Sequence, residues 1–285
     1  MNASSNTQSA RTIETAVEIN APVDAVWKAL TDADELIRWF PLQARSKPGP
    51  DGSIWISWDG DYDGEMGIKI WEPNQHLRVS WPWHEQEPEM SAGAAAAITA
   101  DTASELTVDY YLEGRGGVTV LRLVHTGFGA GADWDAQYDG TCRGWDFELR
   151  GLKHYLENHR GIERRVANVA VNIDMPYEEA WDRLMGADGL AASGKIDGMK
   201  AGESYSIRLA SGDEMEGTVQ INNPPRDLAL VVKNLNRSLF RLRLDKECQP
   251  DKKMAANMWL STYGMPQSEV NAIQSRFKNL LEGLF

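Results

Sequence analysis

Apolar and polar residues alternate over residues 12–19, where Ile13, Thr15, Val17 and Ile19 share one face. A strand is predicted there, closed by Asn20-Ala21-Pro22. A helix follows over about 22–30, with Pro22 in its first turn, where a missing N–H is tolerated. Asp32 to Phe40 continues as a second short helix, ended by Pro41. Alternation returns near 53–58, 64–71, 76–83, 105–113 and 118–126, which predicts five more strands. Asp59-Gly60, Asp63-Gly64, Glu72-Pro73-Asn74 and Gly114 to Gly117 supply the turns. Residues 91–103, SAGAAAAITADTA, read as a long, mobile hairpin loop. The period then changes to three and four across 133–158. Trp134, Tyr138, Cys142, Trp145, Leu149, Leu152 and Leu156 make one apolar stripe along a long helix.

The same order recurs. VEINAPVDAVWKAL at 17–30 returns as VNIDMPYEEAWDRL at 171–184, a spacing of 154 that carries Trp27 onto Trp181. Strands are predicted at 164–173, 203–210, 214–222, 227–234, 237–245 and 254–262, with helices at 176–186 and 267–283. Asn222-Asn223-Pro224-Pro225-Arg226 stands where Glu72-Pro73-Asn74-Gln75-His76 stood. A repeat this long means two whole domains. The expected organisation is a disordered polar tail at 1–11, a first domain at 12–160 and a shorter second domain at 161–285.

Four segments carry a resemblance: VEINAPVDAVWKALTDADELIRWF, DGEMGIKIWEPNQHLRVSWPW, VTVLRLVHTGF and GWDFELRGLKHYLENH. In this order they resemble the family of domains similar to the C-terminal domain of the Hsp90 ATPase activator. That family lies within the START/Bet v 1-like superfamily. The resemblance implies an α+β fold of two tandem helix-grip domains, each a curved antiparallel sheet wrapped around a long C-terminal helix. It also implies a pocket between sheet and helix. The family's eukaryotic co-chaperones carry a separate N-terminal domain that makes much of the chaperone contact. Nothing here resembles that domain, so Hsp90 activation is an inherited label, and a protein partner is only a candidate.

Composition narrows the function. The chain has 285 residues and a formal net charge of -13. Residues 1–160 hold 25 acidic and 13 basic side chains, and residues 161–285 hold 17 and 16. The first half is therefore the acidic one. Neither half offers a phosphate-seeking patch, so nucleic acid and anionic membrane are not expected partners. No stretch approaches 18 apolar residues and the N-terminus has no apolar signal region, so neither membrane span nor secretion signal is expected. Cys142 and Cys248 have no ligand spacing, which suits a reducing cytoplasm, and Cys142 reads as a small core residue.

Nine of the eleven tryptophans precede residue 160. Large rings with a few polar handles suit a pocket for a small hydrophobic or aromatic ligand. The candidate ligand-binding set is Trp39, Phe40, Trp58, Trp81, Trp83, Tyr110, His125, Phe128, Trp134, Tyr138 and Trp145. His125 shares its strand face with Leu121 and Leu123; it can hydrogen-bond a ligand carbonyl, or be tied to its own strand end. The alternative is an enzyme of the polyketide cyclase or hydrolase kind, with His125 working beside Asp139 or Asp146. Asp59 to Gly64 resembles half an EF-hand loop, but its twelfth position is Ile70 and strands flank it, so an acidic turn is expected and no metal. GxGxxG, Walker A, CxxC and HExxH are absent, and no cofactor is expected. The second domain keeps only Trp181 and Trp259 and reads as structural.

Overall fold

The computed structural model describes residues 10–58, 63–81, 105–246 and 254–285. It divides into two compact units, Met1–Arg160 and Gly161–Phe285. Unit one runs β1 (Arg11–Ile19), α1 (Val23–Thr31), α2 (Ala33–Leu36), β2 (Gln43–Lys47), β3 (Ser53–Ser57), β4 (Asp63–Glu72), β5 (His76–Ser80), β6 (Thr107–Arg115), β7 (Val118–Phe128), a 3-10 turn (Ala132–Trp134) and α3 (Asp135–Asn158). Its seven strands form one sheet in the order β1-β7-β6-β5-β4-β3-β2. Neighbours are antiparallel throughout.

Unit two repeats this as β8 (Arg164–Ile173), α4 (Tyr177–Met185), β9 (Ala191–Ser193), β10 (Ser204–Leu209), β11 (Glu214–Asn223), β12 (Asp227–Val232), β13 (Ser238–Lys246), β14 (Met254–Tyr263) and α5 (Gln267–Leu284). Its sheet order, β8-β14-β13-β12-β11-β10-β9, is the first order transposed. Trp27 and Trp181 occupy the same turn of α1 and α4, and both are buried. Two helix-grip domains in tandem follow from this correspondence.

In the first sheet the inward row of β7 is Thr119, Leu121, Leu123 and His125, all buried, while Arg122 between them is exposed. Tyr110 of β6 pairs with Leu123, and Val108 pairs with His125. The β6–β7 hairpin closes through Gly116 and Gly117, at φ 59° and 92°, left-handed angles that a two-residue turn joining twisted strands requires. At the other end of β7 the register against β1 slips: Ile13 faces His125, but Arg11 faces Phe128. Gly127, at φ 102°, takes up the extra residue. His125 and Phe128 consequently both point inward, where plain alternation would set them on opposite faces.

Several expectations are corrected. The 1–11 tail is too long by one residue at least: Arg11 opens β1, and its guanidinium reaches Asp135 at 2.6 Å. Residues 1–9, the half EF-hand positions 59–62, the loop 91–103, Trp83 and Cys248 lie outside the described residues. The second short helix stops at Leu36 rather than Phe40; residues 37–40 go on as turns, with Arg38 N–H bonded to the Glu35 carbonyl and Trp39 and Phe40 N–H to the Leu36 carbonyl. β2 and β9 were not predicted. The hairpins β4–β5 and β11–β12 are equivalent, but the matching five-residue frames are Glu72–His76 and Asn223–Asp227, one residue later in the second copy than the sequences suggest. The proline that ends each first strand, Pro73 or Pro224, sets the frame. Along α3 only the part from Trp145 onward is buried, while Trp134, Tyr138 and Cys142 are half-buried. Cys142 is therefore a rim residue beside Tyr138, not a core one.

Candidate functional site

Three elements bring aromatic rings together in the first domain. The α2–β2 connection delivers Trp39 and Phe40, the inner sheet face delivers Trp81, Tyr110, His125 and Phe128, and α3 delivers Trp145 and Tyr138. Phe40 lies at the centre. Its ring is 5.0 Å from Trp39, 5.1 Å from Trp58 and 5.8 Å from Trp145. Trp145 in turn meets Trp81 at 5.4 Å and Tyr110 at 6.2 Å. Phe128 extends the chain of rings to His125 at 4.6 Å, Tyr138 at 5.4 Å and Trp134 at 6.3 Å. Every candidate binding residue except Trp83, which is not described, belongs to this one network. Trp39, Phe40, Tyr110, His125, Phe128 and Trp145 are buried, whereas Trp58, Trp81, Trp134 and Tyr138 are half-buried and form its rim.

The other tryptophans of this half are sorted away from the network. Trp27 packs edge-on against Trp71 at 5.0 Å. Trp55 lies under the guanidinium of Arg45 at 4.1 Å.

One polar group stands inside the network. The Trp145 indole N–H donates to His125 Nδ1 at 3.0 Å. An indole nitrogen can only donate, so Nδ1 must present its lone pair and the imidazole proton sits on Nε2. His125 is 1% exposed, and Nε2 has no hydrogen-bond partner among the described residues. Burial pulls its pKa down to about 3, so the ring is neutral near pH 7. The rings touching it, Trp81, Phe128 and Trp145, are all uncharged. Burial likewise raises the Tyr110 phenol pKa, so Tyr110 stays protonated.

Neither acid of the catalytic alternative reaches His125. Asp139 pairs with Arg143 at 3.0 Å and Asp146 with Arg150 at 2.9 Å, each along the helix at i,i+4 and each exposed. The His–Asp pairing of that alternative is not formed. Among the described residues no group of three or more His, Cys, Asp or Glu side chains can hold a metal ion. No helix there is long and apolar enough to cross a membrane.

Two features of this domain escaped the sequence. Glu35 is 8% exposed and accepts from the Tyr155 hydroxyl at 2.6 Å and from Arg38 at 2.8 Å. Asp32 caps the same short helix through the Glu35 N–H at 3.1 Å, so the spacing Asp32-x-x-Glu35 was the available signal. These bonds hold the connection that carries Trp39 and Phe40, and Trp39 Nε1 donates to the Ala29 carbonyl at 2.9 Å. The outer face of the sheet carries a second polar cluster. Asp109 Oδ1 meets His76 Nε2 at 2.6 Å and Arg78 Nε at 2.7 Å. Opposite charges at facing positions of β5 and β6 were legible only once register was known.

Among the described residues, the second domain shows no comparable ring network. Its core is largely aliphatic, with Phe240 and Phe277 meeting at 5.9 Å. Trp181 Nε1 also lacks a partner among the described residues, but it sits in that aliphatic cluster. Two shallow concavities of about 380 and 330 Å³ occur in this unit, the larger beside Arg276, which is engaged bidentately by Asp213.

Residues 20–157 match the family model described as Activator of Hsp90 ATPase homolog 1-like protein. That match spans most of the first domain. No curated protein matches the chain. Solved structures similar to it include the Aha1 dimer from Colwellia psychrerythraea, at 18% identity over 53% of this chain and 99% of that one, with a TM-score of 0.42. Another is the di-domain ARO/CYC BexL of the BE-7585A biosynthetic pathway, at 14% identity over 96% and 97%, with a TM-score of 0.42. A third is CalU16 from Micromonospora echinospora, at 24% identity over 52% and 76%, with a TM-score of 0.39. The domain that the family model matches is the aromatic-rich one of the two.

Proposed function

We propose that the first domain is a non-enzymatic binding domain that holds a small hydrophobic or aromatic molecule against its ring network. The observation that carries this reading is the half-buried rim of Trp58, Trp81, Trp134 and Tyr138 leading inward to buried rings. A core that served packing alone gains nothing from leaving four large rings at its edge. A flat apolar molecule inserted beside them removes that surface from water at roughly 25 cal/mol per Å². Micromolar affinity, about -8 kcal/mol, is the scale expected. The family match on residues 20–157 supports a second, compatible role in which an outer surface of the same domain binds a protein.

The test is a screen of aromatic polyketides, flavonoids and fatty acids by tryptophan quenching, followed by calorimetry on the hits. We expect saturable quenching and a negative heat-capacity change as apolar surface leaves water. A panel that neither quenches nor releases heat at high micromolar concentration would leave the protein-binding role as the better reading.

A further inference from the structure

Resting on the binding reading above, we infer that His125 Nε2–H selects the ligand: the site takes a neutral, ring-bearing molecule with a hydrogen-bond acceptor oxygen, such as an aryl ketone or quinone, and rejects its deoxygenated and carboxylate analogues.

The tautomer decides which nitrogen donates. Trp145 occupies Nδ1 with a donor, so the one N–H of the neutral ring is at Nε2, on an imidazole that contacts Trp81, Phe128 and Trp145. A buried N–H without an acceptor is costly, and the described protein supplies none. A ligand carbonyl or ether oxygen would satisfy it and recover that loss on binding. A purely hydrocarbon ring would cover the donor and leave it unsatisfied. A carboxylate would satisfy it but would carry a charge among Trp81, Phe128 and Trp145, none of which can balance it. The three classes are therefore ranked by one atom. Trp145 is a positioning residue in this scheme, because its indole fixes which imidazole nitrogen donates.

The experiment uses the full-length protein and three tricyclic probes of similar size: anthrone, 9,10-dihydroanthracene and anthracene-9-carboxylate, titrated by calorimetry and tryptophan quenching. We expect anthrone to bind at least about tenfold more tightly than either analogue. His125→Phe should level anthrone with the hydrocarbon, and Trp145→Phe, which frees Nδ1, should shrink the same ratio. Nitrogen NMR of the wild-type histidines gives a reading that needs no variant: His125 should be the Nε2–H tautomer, and its Nε2 resonance should move with anthrone but not with the hydrocarbon. Equal binding of anthrone and hydrocarbon, tighter binding of the carboxylate, or an Nδ1–H tautomer would overturn the selectivity while leaving a ring-binding site intact. Failure of all three probes, with no member of the wider screen binding, would overturn the binding reading itself and the selectivity with it.

Discussion

A neutral imidazole buried among indole and phenyl rings should make stability depend on pH in a definite direction. The ordinary His pKa is near 6.5, and in the folded protein burial lowers that of His125 to about 3. Between these values the unfolded chain binds a proton that the folded chain does not. The contribution is thus fully present above about pH 6.5 and is lost as pH falls towards 3, at up to about 1.4 kcal/mol per unit. We expect wild type to lose more melting temperature than His125→Phe between pH 7 and pH 4.5. Parallel losses would mean that His125 is not the buried neutral group described. Tyr155→Phe tests the other internal polar contact. It removes a donor from buried Glu35 and should cost about 1–3 kcal/mol in denaturant unfolding. An unchanged midpoint would show that this bond does not hold the Trp39–Phe40 connection. At this scale the ring residues were legible because tryptophan is rare and strand alternation fixes its side. The Glu35–Tyr155 bond was not, since it joins residues 120 positions apart whose meeting depends on how α3 crosses the fold.

Among the elements, β7 does most to shape the site, and Gly127 is its weak point. At φ 102° no side chain sits comfortably, so Gly127→Ala should cost on the order of 1–3 kcal/mol. It should also turn Phe128 away from His125. Thermal unfolding checks the first effect and Phe128 ring shifts in an NMR spectrum check the second; wild-type values in both would dismiss the bulge as a shaping device. The slip was hidden in the sequence, because VTVLRLVHTGF alternates cleanly until the pairing with β1 is known. Most strands and both long helices were readable from period alone, within a residue or two. β2 and β9 were missed for a physical reason. Each lies at a sheet edge, where polar sequences such as QARSK and runs as short as three residues satisfy the pairing without a buried apolar row.

Over the whole molecule, one topology appears twice with different contents. The first copy carries the ring network, the buried imidazole and the acidic surface; the core of the second is largely aliphatic. The repeat was visible because Trp27 and Trp181 do the same packing work in equivalent helices. Emptying either site should cost roughly 3–5 kcal/mol. With Trp27→Ala, hydrogen exchange should accelerate across residues 11–158; acceleration spread evenly over both copies would argue against separate cores. The division of labour between the copies is tested most directly by the indole N–H region of a nitrogen–proton NMR spectrum, where the eleven tryptophans report individually. On titrating anthrone, the Trp81, Trp58 and Trp145 signals should shift together and saturate, while Trp181 and Trp259 stay where they were. Shifts confined to Trp181 and Trp259, or none at all at saturating probe, would contradict a ligand site in the first domain.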